Sequence, residues 1–236
     1  GDFRAMPAYL EGVEACGMKW VSVHPRNKKH GLPSVMALII INDPKTGFPL
    51  AVMDGTYITN LRTGAAGGIA AKYLARENSS RIALVGCGVQ AQTQLMALNE
   101  IFNIETVFLY DCLKSQIEIF LKKTRYLGLA MIIHNSVKDC IQEADILVTT
   151  TPSRKPIINS EWLKKGTHIN AIGADAKGKE ELDPEILKKA KVVVDDVVQA
   201  CHSGEINVPI ARGIFKKAEI DASLGEIITG RKKGRT

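Results

Sequence analysis

The chain has 236 residues, which is enough for one large domain or two small ones with a buried core. Hydrophobic residues make up 45% of it and charged residues 24%, a composition that excludes a disordered or fibrous protein. Its longest uninterrupted apolar run, residues 35–41, is far too short to cross a membrane. We therefore expect neither a membrane span nor a membrane partner, and we see no secretory signal.

The net charge of +6 is concentrated at the C-terminal end of the sequence. Positively charged residues there are Arg231, Lys232, Lys233 and Arg235. A nearly neutral body with a basic tail favours a solvated tail over nucleic-acid binding, so no nucleic-acid partner is expected. The five cysteines are scattered and include no C-x-x-C pair, which indicates reduced thiols in a cytoplasmic protein. The five histidines form no cluster, and no metal is expected.

Residues 1–62 are predicted to form a small α+β domain. The alternating pattern at 19–23 predicts a strand, and 34–53 reads as a β-hairpin around the turn-forming residues 42–47. From residue 63 to 75, small residues recur at helical spacing, which predicts a helix packed closely against another element.

From residue 81 onward, apolar β-branched runs alternate with helical patterns. The predicted strands are 82–85, 107–110, 131–133, 146–149, 168–172 and 192–194, and the predicted helices are 90–101, 113–126, 137–143 and 184–189. This alternation predicts an α/β fold, a Rossmann-type doubly wound parallel sheet, beside the smaller α+β domain. We expect a substrate and dimerisation domain at 1–62, a connecting helix at 63–80, a dinucleotide-binding domain at 81–205 and a return segment with the basic tail at 206–236.

A glycine motif, Gly86-Cys87-Gly88-Val89-Gln90-Ala91, follows the first predicted strand of the α/β region and opens a helix. This is the G-x-G-x-x-A form of the dinucleotide fingerprint, in which the phosphates lie at the helix N-terminus. Asp111 ends the next predicted strand, where a carboxylate pairs with ribose hydroxyls and repels a 2′-phosphate, so NAD is favoured over NADP. A methyltransferase that binds S-adenosylmethionine and a tight turn that binds nothing are the alternatives.

Three charged residues are candidates for the chemistry. Lys19 lies at a strand edge between apolar residues, where burial would lower its pKa and let it act as acid or base; a solvated surface lysine is the alternative. Arg62 lies where a loop becomes a helix and could grip a carboxylate or simply tie the loop to the helix. Asp175 follows a predicted parallel strand, where an acid can transfer protons or cap a turn. The Thr149–Thr151 run also ends a strand and could offer hydroxyls to a cofactor or form a plain turn.

Five motifs in one order resemble the ornithine cyclodeaminase/mu-crystallin family. They are Lys19-Trp20-Val21-Ser22-Val23, Gly31-Leu32-Pro33-Ser34-Val35, Leu61-Arg62-Thr63-Gly64-Ala65-Ala66, the glycine motif at 86–91 and Gly173-Ala174-Asp175-Ala176-Lys177-Gly178-Lys179. The resemblance covers nearly the whole chain. Within the family, the chain is most similar to the archaeal-type alanine dehydrogenases.

The resemblance implies a homodimer whose first domain binds a small amino-acid or 2-oxo-acid substrate, with NAD on the Rossmann domain. It implies that Lys19 is the acid/base at the substrate, that Arg62 binds the substrate carboxylate beside the cofactor and that Asp175 is the second proton-transfer group. Further positions implied to lie at the cofactor are Ser34, Gly86, Gly88, Val89, Gln90, Asp111, Thr151, Gly173, Ala174 and Lys179.

The reaction implied by the resemblance is NAD-dependent oxidative deamination of L-alanine to pyruvate and ammonia. An alternative is ornithine cyclodeaminase, which converts L-ornithine to L-proline and uses NAD catalytically. Cyclodeaminases tend to show Gly-Gly-Asp-Cys where this chain has Gly-Ala-Asp-Ala at 173–176, which favours the dehydrogenase. A third alternative is a non-catalytic crystallin-like protein that binds NAD(P) or another ligand without turnover. A preference for NADPH would support it, and Asp111 argues against it.

The sequence departs from the family in two respects. Lys177 stands where relatives have proline, in the loop that presents Asp175. Relatives also carry a segment with another substrate-binding arginine before the position of Gly1, and they continue past Gly234-Arg235 into a segment that returns to the first domain. We therefore expect this chain to be an internal fragment of such an enzyme.

Overall fold

The structure is a computed structural model that describes residues 1–235, apart from the Lys28 side chain. Two compact units are present, Gly1–Arg62 and a second that begins at Thr63. We call them the N-terminal unit and the C-terminal unit. No helix among the described residues is both long and apolar enough to cross a membrane.

The N-terminal unit is a four-stranded antiparallel sheet in the order β1-β2-β3-β4. Its strands are β1 (Asp2–Leu10), β2 (Ala15–Val23), β3 (Val35–Asn42) and β4 (Pro49–Asp54). The predicted hairpin corresponds to β3 and β4, but β1 was not predicted. In β1 the aromatic Phe3 is exposed while the charged Arg4 is partly buried, so the usual hydrophobic alternation is reversed.

The register of this sheet separates its side chains into two faces. The inner face carries Arg4, Met6, Lys19, Val21, Ala37 and Ile39, which are paired across β1, β2 and β3. The outer face carries Phe3, Trp20, Leu38 and Val52. Val21 and Ala37 on the inner face are buried, whereas all four of these outer-face residues are exposed. The outer face is therefore an apolar surface without a covering layer among the described residues of this unit.

Helix α1 (Thr56–Leu74) begins seven residues before its predicted start at residue 63. The β-branched and polar residues at 56–60 have modest helix propensity, which is why the pattern did not reveal the first turns. Asp54 supports this start, since its carboxylate accepts hydrogen bonds from the Thr56 backbone N–H at 3.0 Å and the Thr56 hydroxyl at 3.1 Å. The helix continues without a break past Arg62, where the two units divide.

The C-terminal unit is built on a five-stranded parallel sheet in the order β10-β8-β5-β6-β7. These strands are β5 (Arg81–Val85), β6 (Thr106–Tyr110), β7 (Ala130–Ile133), β8 (Ile146–Thr149) and β10 (His168–Ala171). Helices α2 (Val89–Asn99), α3 (Lys114–Thr124) and α4 (Val137–Ile141) connect the first four. This arrangement confirms the predicted doubly wound α/β fold.

The central strands are buried on both sheet faces. Ile82 and Leu84 of β5 pack with Leu95 of α2 in one apolar cluster, while Ala83 and Leu147 belong to a second cluster with α4. Strands covered on both sides need no polar alternation, which accounts for the continuous apolar runs in the sequence.

The rest of the C-terminal unit consists of short elements. A parallel ladder joins β9 (Arg154–Ile158) to β11 (Glu180–Leu182), and another joins β12 (Val193–Val194) to β13 (Ala222–Ser223). The helices are α5 (Pro184–Lys189), α6 (Val197–Ser203), α7 (Asn207–Ala211) and α8 (Leu224–Ile228). Short 3-10 helices lie at Glu11–Val13, Pro25–His30, Arg125–Leu127, Ser160–Trp162 and Lys217–Glu219.

Three differences from the sequence-based prediction concern these short elements. The strand predicted at 192–194 does not extend the main sheet, because it pairs with β13 instead. Strands β9 and β11 were not predicted, since a segment of three to five residues shows little periodicity. The basic tail is exposed as expected, but it is also bound: Arg235 donates to the carbonyls of Leu74 at 3.0 Å and Gly166 at 2.9 Å.

Candidate active site

The site predicted from the glycine motif lies at the point where the strand order of the main sheet reverses. From β5 the chain proceeds through β6 to β7 on one side, then returns to β8 on the other side of β5. Ligands of open α/β sheets bind in the crevice at the carboxyl ends of such strands. The glycine motif leaves β5 at this crevice, and Thr149–Thr151 leaves β8 beside it.

The two glycines of the motif have different roles in the structure. Gly86 has φ +93°, and a β-carbon there would lie 3.0 Å from Thr150 Oγ1 and 3.1 Å from Thr151 Cγ2. A β-carbon on Gly88, in contrast, would meet nothing within 4 Å. Gly88 is also the N-cap of α2, and no side chain caps this eleven-residue helix. The helix N-terminus is therefore open to an anionic group, which its N–H groups and dipole favour.

Asp111, directly after β6, is held against the glycine motif. Its carboxylate accepts hydrogen bonds from the Cys87 N–H at 2.8 Å and the Leu113 N–H at 2.9 Å. An acidic side chain is thus fixed beside the open end of α2, as the sequence predicted. Burial, reinforced by the Asp111 charge, raises the pKa of the Cys87 thiol to about 12, so this cysteine is a neutral packing residue.

These residues fit a dinucleotide. An uncapped helix N-terminus with open space at Gly88 can receive phosphates, and a carboxylate at the end of the neighbouring strand can accept hydrogen bonds from ribose hydroxyls. Val89, in the first turn of α2, is exposed, and Gln90 follows it. We call the N-terminus of α2 at Gly88, together with the Asp111 carboxylate, the dinucleotide cradle. It presents backbone donors and the Asp111 acceptor at one end of the sheet.

The loop after β10 carries Asp175 and Lys179, which form an ion pair with 2.5 Å between Oδ1 and Nζ. The Lys179 side chain is 15% exposed and that of Asp175 is 40% exposed. At the start of this loop, the Gly173 N–H donates to the Thr149 carbonyl at 3.1 Å. The neighbouring Ala174 is buried. The acid predicted at a strand end is therefore present, and its partner is the lysine four residues on.

The far end of the same loop is held by Asn207, which the sequence analysis did not single out. Asn207 is buried at the start of α7; its Oδ1 accepts from the Gly178 N–H and its Nδ2 donates to the Lys179 carbonyl, both at 2.9 Å. Gly178 has φ +80°, a conformation that favours glycine. Lys177 lies just before this point, and its carbonyl accepts from Arg154 Nη1 at 3.5 Å.

Glu181 on β11 is a second site-supporting residue that sequence reasoning missed. It is fully buried, and its carboxylate accepts hydrogen bonds from Thr149, Thr151 and Gly173. Burial raises the pKa of Glu181, while these hydrogen bonds oppose the rise. The sequence carries no local signal for this residue, because Thr149 and Thr151 lie 32 and 30 positions away.

The N-terminal unit carries the predicted substrate-binding residues. Lys19 lies on the inner face of β2, and its pKa is lowered, first by burial and then by the positive charges of Arg62 and Arg4. Arg62 lies on α1 and is exposed. Arg4 was not predicted; it projects from the same sheet face as Lys19 and pairs with Asp2 at 2.6 Å. Three cationic groups near one another form a site that suits a carboxylate.

The structure thus brings some predicted residues together within each unit. Lys19 and Arg62 interact in the N-terminal unit, where Ser34 lies just before β3 and accepts from the His24 N–H at 2.7 Å. All other predicted positions belong to the C-terminal unit, at the carboxyl ends of β5, β6, β8 and β10. Among the described residues, no group of three His, Cys, Asp or Glu side chains could hold a metal ion.

Comparison with known proteins gives one consistent result. The model of the ornithine cyclodeaminase/mu-crystallin family matches residues 1–236. An alanine dehydrogenase of Archaeoglobus fulgidus is 55% identical over 235 residues, which cover 100% of this chain and 72% of that protein.

Two solved structures extend this result. An archaeal alanine dehydrogenase dimer with bound NAD superposes with a TM-score of 0.95 at 54% identity, covering 100% of this chain and 72% of the other. The Δ1-pyrroline-2-carboxylate reductase of Thermococcus litoralis, in complex with NADH and L-proline, gives a TM-score of 0.96 at 44% identity, covering 99% and 73%.

Proposed function

The chain belongs to the ornithine cyclodeaminase/mu-crystallin family, and from this premise we propose that it is an NAD-dependent oxidoreductase acting on L-alanine. The observation that carries the proposal is the dinucleotide cradle, in which the uncapped N-terminus of α2 stands beside the fixed carboxylate of Asp111. The similarity to an NAD-bound alanine dehydrogenase supports the same cofactor here. When bound, NAD supplies the group that accepts a hydride from the amino acid.

In this proposal the C-terminal unit holds the cofactor. Gly86 and Gly88 shape the turn, and the N–H groups of Val89 and Gln90 bind the pyrophosphate at the start of α2. Asp111 binds the ribose hydroxyls and disfavours a 2′-phosphate. The remaining cofactor positions of this unit are Thr151, Gly173, Ala174, Asp175 and Lys179. The family resemblance also assigns Ser34 and Arg62 of the N-terminal unit to the cofactor.

The substrate is held and activated by a few charged side chains. Arg62 binds the carboxylate of L-alanine. Lys19, whose pKa is lowered, removes a proton from the α-ammonium group so that the amine can form an imine as the α-hydrogen leaves. Asp175 transfers protons as water adds to the imine, which releases pyruvate and ammonium. In total, L-alanine, NAD⁺ and water give pyruvate, ammonium, NADH and one proton.

A second candidate activity is reduction of Δ1-pyrroline-2-carboxylate to L-proline. The similarity to the Thermococcus litoralis reductase with bound L-proline favours it. The chemistry at the α-carbon is the same, because a cyclic imine replaces the open-chain imine of alanine. Lys19 would then donate the proton that the imine nitrogen requires.

We also infer that the outer face of the N-terminal unit pairs with a second copy of the chain. Phe3, Trp20, Leu38 and Val52 are 62%, 44%, 50% and 66% exposed, and Phe3 stacks on Trp20 with 5.9 Å between ring centroids. Exposed apolar residues in one contiguous patch are typical of protein interfaces. The dimer seen for the archaeal alanine dehydrogenase supports this assignment.

Calorimetry with NAD and NADP, followed by absorbance assays, tests the proposal. NAD binding together with NADH formation from L-alanine supports alanine dehydrogenase. Oxidation of NADH by Δ1-pyrroline-2-carboxylate, but not by pyruvate with ammonium, favours the reductase. Conversion of L-ornithine to L-proline without net NADH indicates a cyclodeaminase. Failure of a folded sample to bind either dinucleotide contradicts the proposal.

A further inference from the structure

Glu181 connects two chain segments at the carboxyl edge of the main sheet. Its Oε1 accepts hydrogen bonds from both the N–H and the hydroxyl of Thr151, each at 2.7 Å. Its Oε2 accepts from the Thr149 hydroxyl at 2.7 Å and from the Gly173 N–H at 2.8 Å. One side chain therefore binds the segment that leaves β8 and the loop that leaves β10.

This arrangement requires an acceptor at both oxygen positions. The backbone N–H groups of Thr151 and Gly173 can only donate, and they approach opposite oxygens of Glu181. A carboxylate accepts at both positions, whereas the amide of glutamine has a donor at one of them. In Glu181→Gln, one backbone N–H must therefore face an NH₂ group and lose its hydrogen bond to this side chain, whichever way the amide is turned. The Thr151 N–H would lose its acceptor, whereas the Gly173 N–H would keep only its longer bond of 3.1 Å to the Thr149 carbonyl.

The loop fastened by Glu181 is the one that carries Asp175 and Lys179. Glu181 fixes this loop near its start, at Gly173, and Asn207 fixes its far end at Gly178. A β-carbon on Gly173 would overlap the Glu181 carboxylate, so the loop backbone lies directly on this side chain. Glu181 itself is buried and does not line an open surface.

We propose that Glu181 is a positioning residue that fixes the Asp175–Lys179 loop against the carboxyl end of β8. Its effect on turnover rests on the proposed function, in which Asp175 moves protons and Thr151 lies at the cofactor. Proton transfer depends on donor and acceptor being held in the productive geometry, and small displacements are costly. The Glu181 carboxylate bonds to Thr149, Thr151 and Gly173 and not to Gly88 or Asp111, so the cradle that these two residues form is expected to bind NAD without it.

The test compares Glu181→Gln with Glu180→Gln in the full chain. Glu180 is the adjacent buried carboxyl, but it pairs with Arg212 at 3.1 Å and not with Thr149, Thr151 or Gly173. We expect Glu181→Gln to lower kcat by about tenfold to a hundredfold and to weaken NAD binding by a smaller factor, because Thr151 and Gly173 are released while Gly88 and Asp111 stay in place. Glu180→Gln is expected to keep kcat within about threefold of the unmodified chain.

Amide-resolved hydrogen exchange gives a readout that does not depend on turnover. In the unmodified chain, the Thr151 and Gly173 amides are expected to exchange slowly, and at least one should exchange faster in Glu181→Gln but not in Glu180→Gln. Fast exchange of both amides in the unmodified chain would overturn the proposal, even if the variant does not fold. Retention of full kcat by a folded Glu181→Gln would also overturn it.

The two proposals can fail separately. Absence of turnover in the unmodified chain with every substrate tested counts against the proposed function, and exchange at Thr151 and Gly173 then decides the role of Glu181. Equal losses of kcat and thermal stability in both glutamine variants would show a general packing role and not positioning.

Discussion

Asn170 on β10 donates a hydrogen bond from its side-chain amide to the backbone carbonyl of Gly67 on α1, with 3.0 Å between Nδ2 and the oxygen. The same amide contacts Gln94 Oε1 at 3.3 Å, and Gln94 in turn donates to the Thr63 carbonyl at 2.9 Å. All of this network lies in the C-terminal unit, and Gln94 is fully buried. It fastens α1 to the sheet and to α2 by polar bonds in an otherwise apolar interior.

The close approach at Gly67 predicts an unusual response to helix-favouring substitution. A β-carbon at Gly67 would overlap the Gln94 amide, so Gly67→Ala should destabilise the protein by about 1–3 kcal/mol despite the better helix propensity of alanine. The matched change Ala66→Gly, at an exposed position of the same helix, should cost about 1 kcal/mol through propensity alone. Urea unfolding measures both, and a stabilised Gly67→Ala variant would contradict the packing described here.

Asp111 is predicted to determine cofactor choice. Replacing it with serine removes the negative charge that would face a 2′-phosphate, so the ratio of NADP to NAD affinity should rise by about tenfold or more. Asp111→Asn provides a second variant that keeps the shape and removes the charge, although it also loses one of the two hydrogen bonds from the Cys87 and Leu113 N–H groups. Calorimetric titration with NAD and NADP measures this affinity ratio in each variant. Unchanged discrimination in two folded, NAD-binding variants would show that specificity arises elsewhere.

The pH dependence of oxidation should follow the charges around Lys19. Because the pKa of Lys19 is lowered by burial, Arg62 and Arg4, the rate of amino-acid oxidation should rise with pH to a midpoint below 10.5. Arg4→Gln removes one of the two positive charges, which should raise the pKa of Lys19 and lower kcat/KM at pH 8 by roughly threefold.

The control for this experiment is Arg26→Gln, which removes an exposed arginine of the same unit that is not among the causes of the Lys19 shift. Its pH profile of kcat/KM should match that of the unmodified chain. A midpoint that stays in place or moves down in Arg4→Gln would show that Arg4 does not act on Lys19.

Glu205 predicts a specific dependence of stability on pH. Burial raises the pKa of this carboxyl from 4.5 to about 8, although its Oε1 accepts from the N–H groups of Glu181 and Leu182. The folded protein keeps the proton that the unfolded chain releases near its ordinary pKa. The free energy of unfolding should therefore fall as the pH rises from about 4.5 to about 8 and then level off.

Glu205→Gln mimics the protonated side chain and can keep the Oε1 acceptor. We expect the free energy of unfolding of the variant to depend less on pH. The difference in this free energy, variant minus unmodified chain, should rise by about 1–3 kcal/mol between pH 5 and pH 8. Urea titrations at several pH values measure this difference. A gap that stays constant over that range would assign the pH dependence to other groups.

If the outer face of the N-terminal unit forms the dimer interface, a charged residue introduced on that face should dissociate the dimer. Val52 is 66% exposed on β4, and Val52→Lys should shift the molar mass measured by light scattering from dimer to monomer while the fold is retained. Glu118→Lys, an exposed change on α3, serves as a charge control that should leave the dimer intact. A monomeric unmodified chain at micromolar concentration would refute the inferred pairing.

The parts of the fold and site that could be predicted depend on local pattern. Gly86, Gly88 and Asp111 lie within one β-α-β segment, so their relative placement follows from the order of elements along the chain. Strand β1 was missed because Phe3 faces outward and Arg4 inward, which reverses the pattern of a half-buried strand. An apolar outer surface and a charged inner face together produce this reversed pattern. A periodicity analysis cannot distinguish such a strand from a loop.

Glu181 could not be found in this way, for a different reason. Its partners Thr149, Thr151 and Gly173 come from the ends of two strands that meet β11 only after the chain has folded. Nothing in the residues next to Glu181 distinguishes it from Glu180, whose partner Arg212 lies further along the chain. Such tertiary hydrogen bonds leave no spacing that a single sequence can reveal.

The raised pKa of Cys87 has a consequence for the protein under oxidative or electrophilic stress. At neutral pH this side chain therefore stays in the thiol form, whereas the thiolate is the form that reacts with peroxide and alkylating agents. Cys140 is equally protected, with burial raising its pKa to about 12, whereas Cys112 is exposed. A cysteine can therefore stand in the glycine turn without making the cradle a target of chemical inactivation, and electrophiles should modify the surface at Cys112 first.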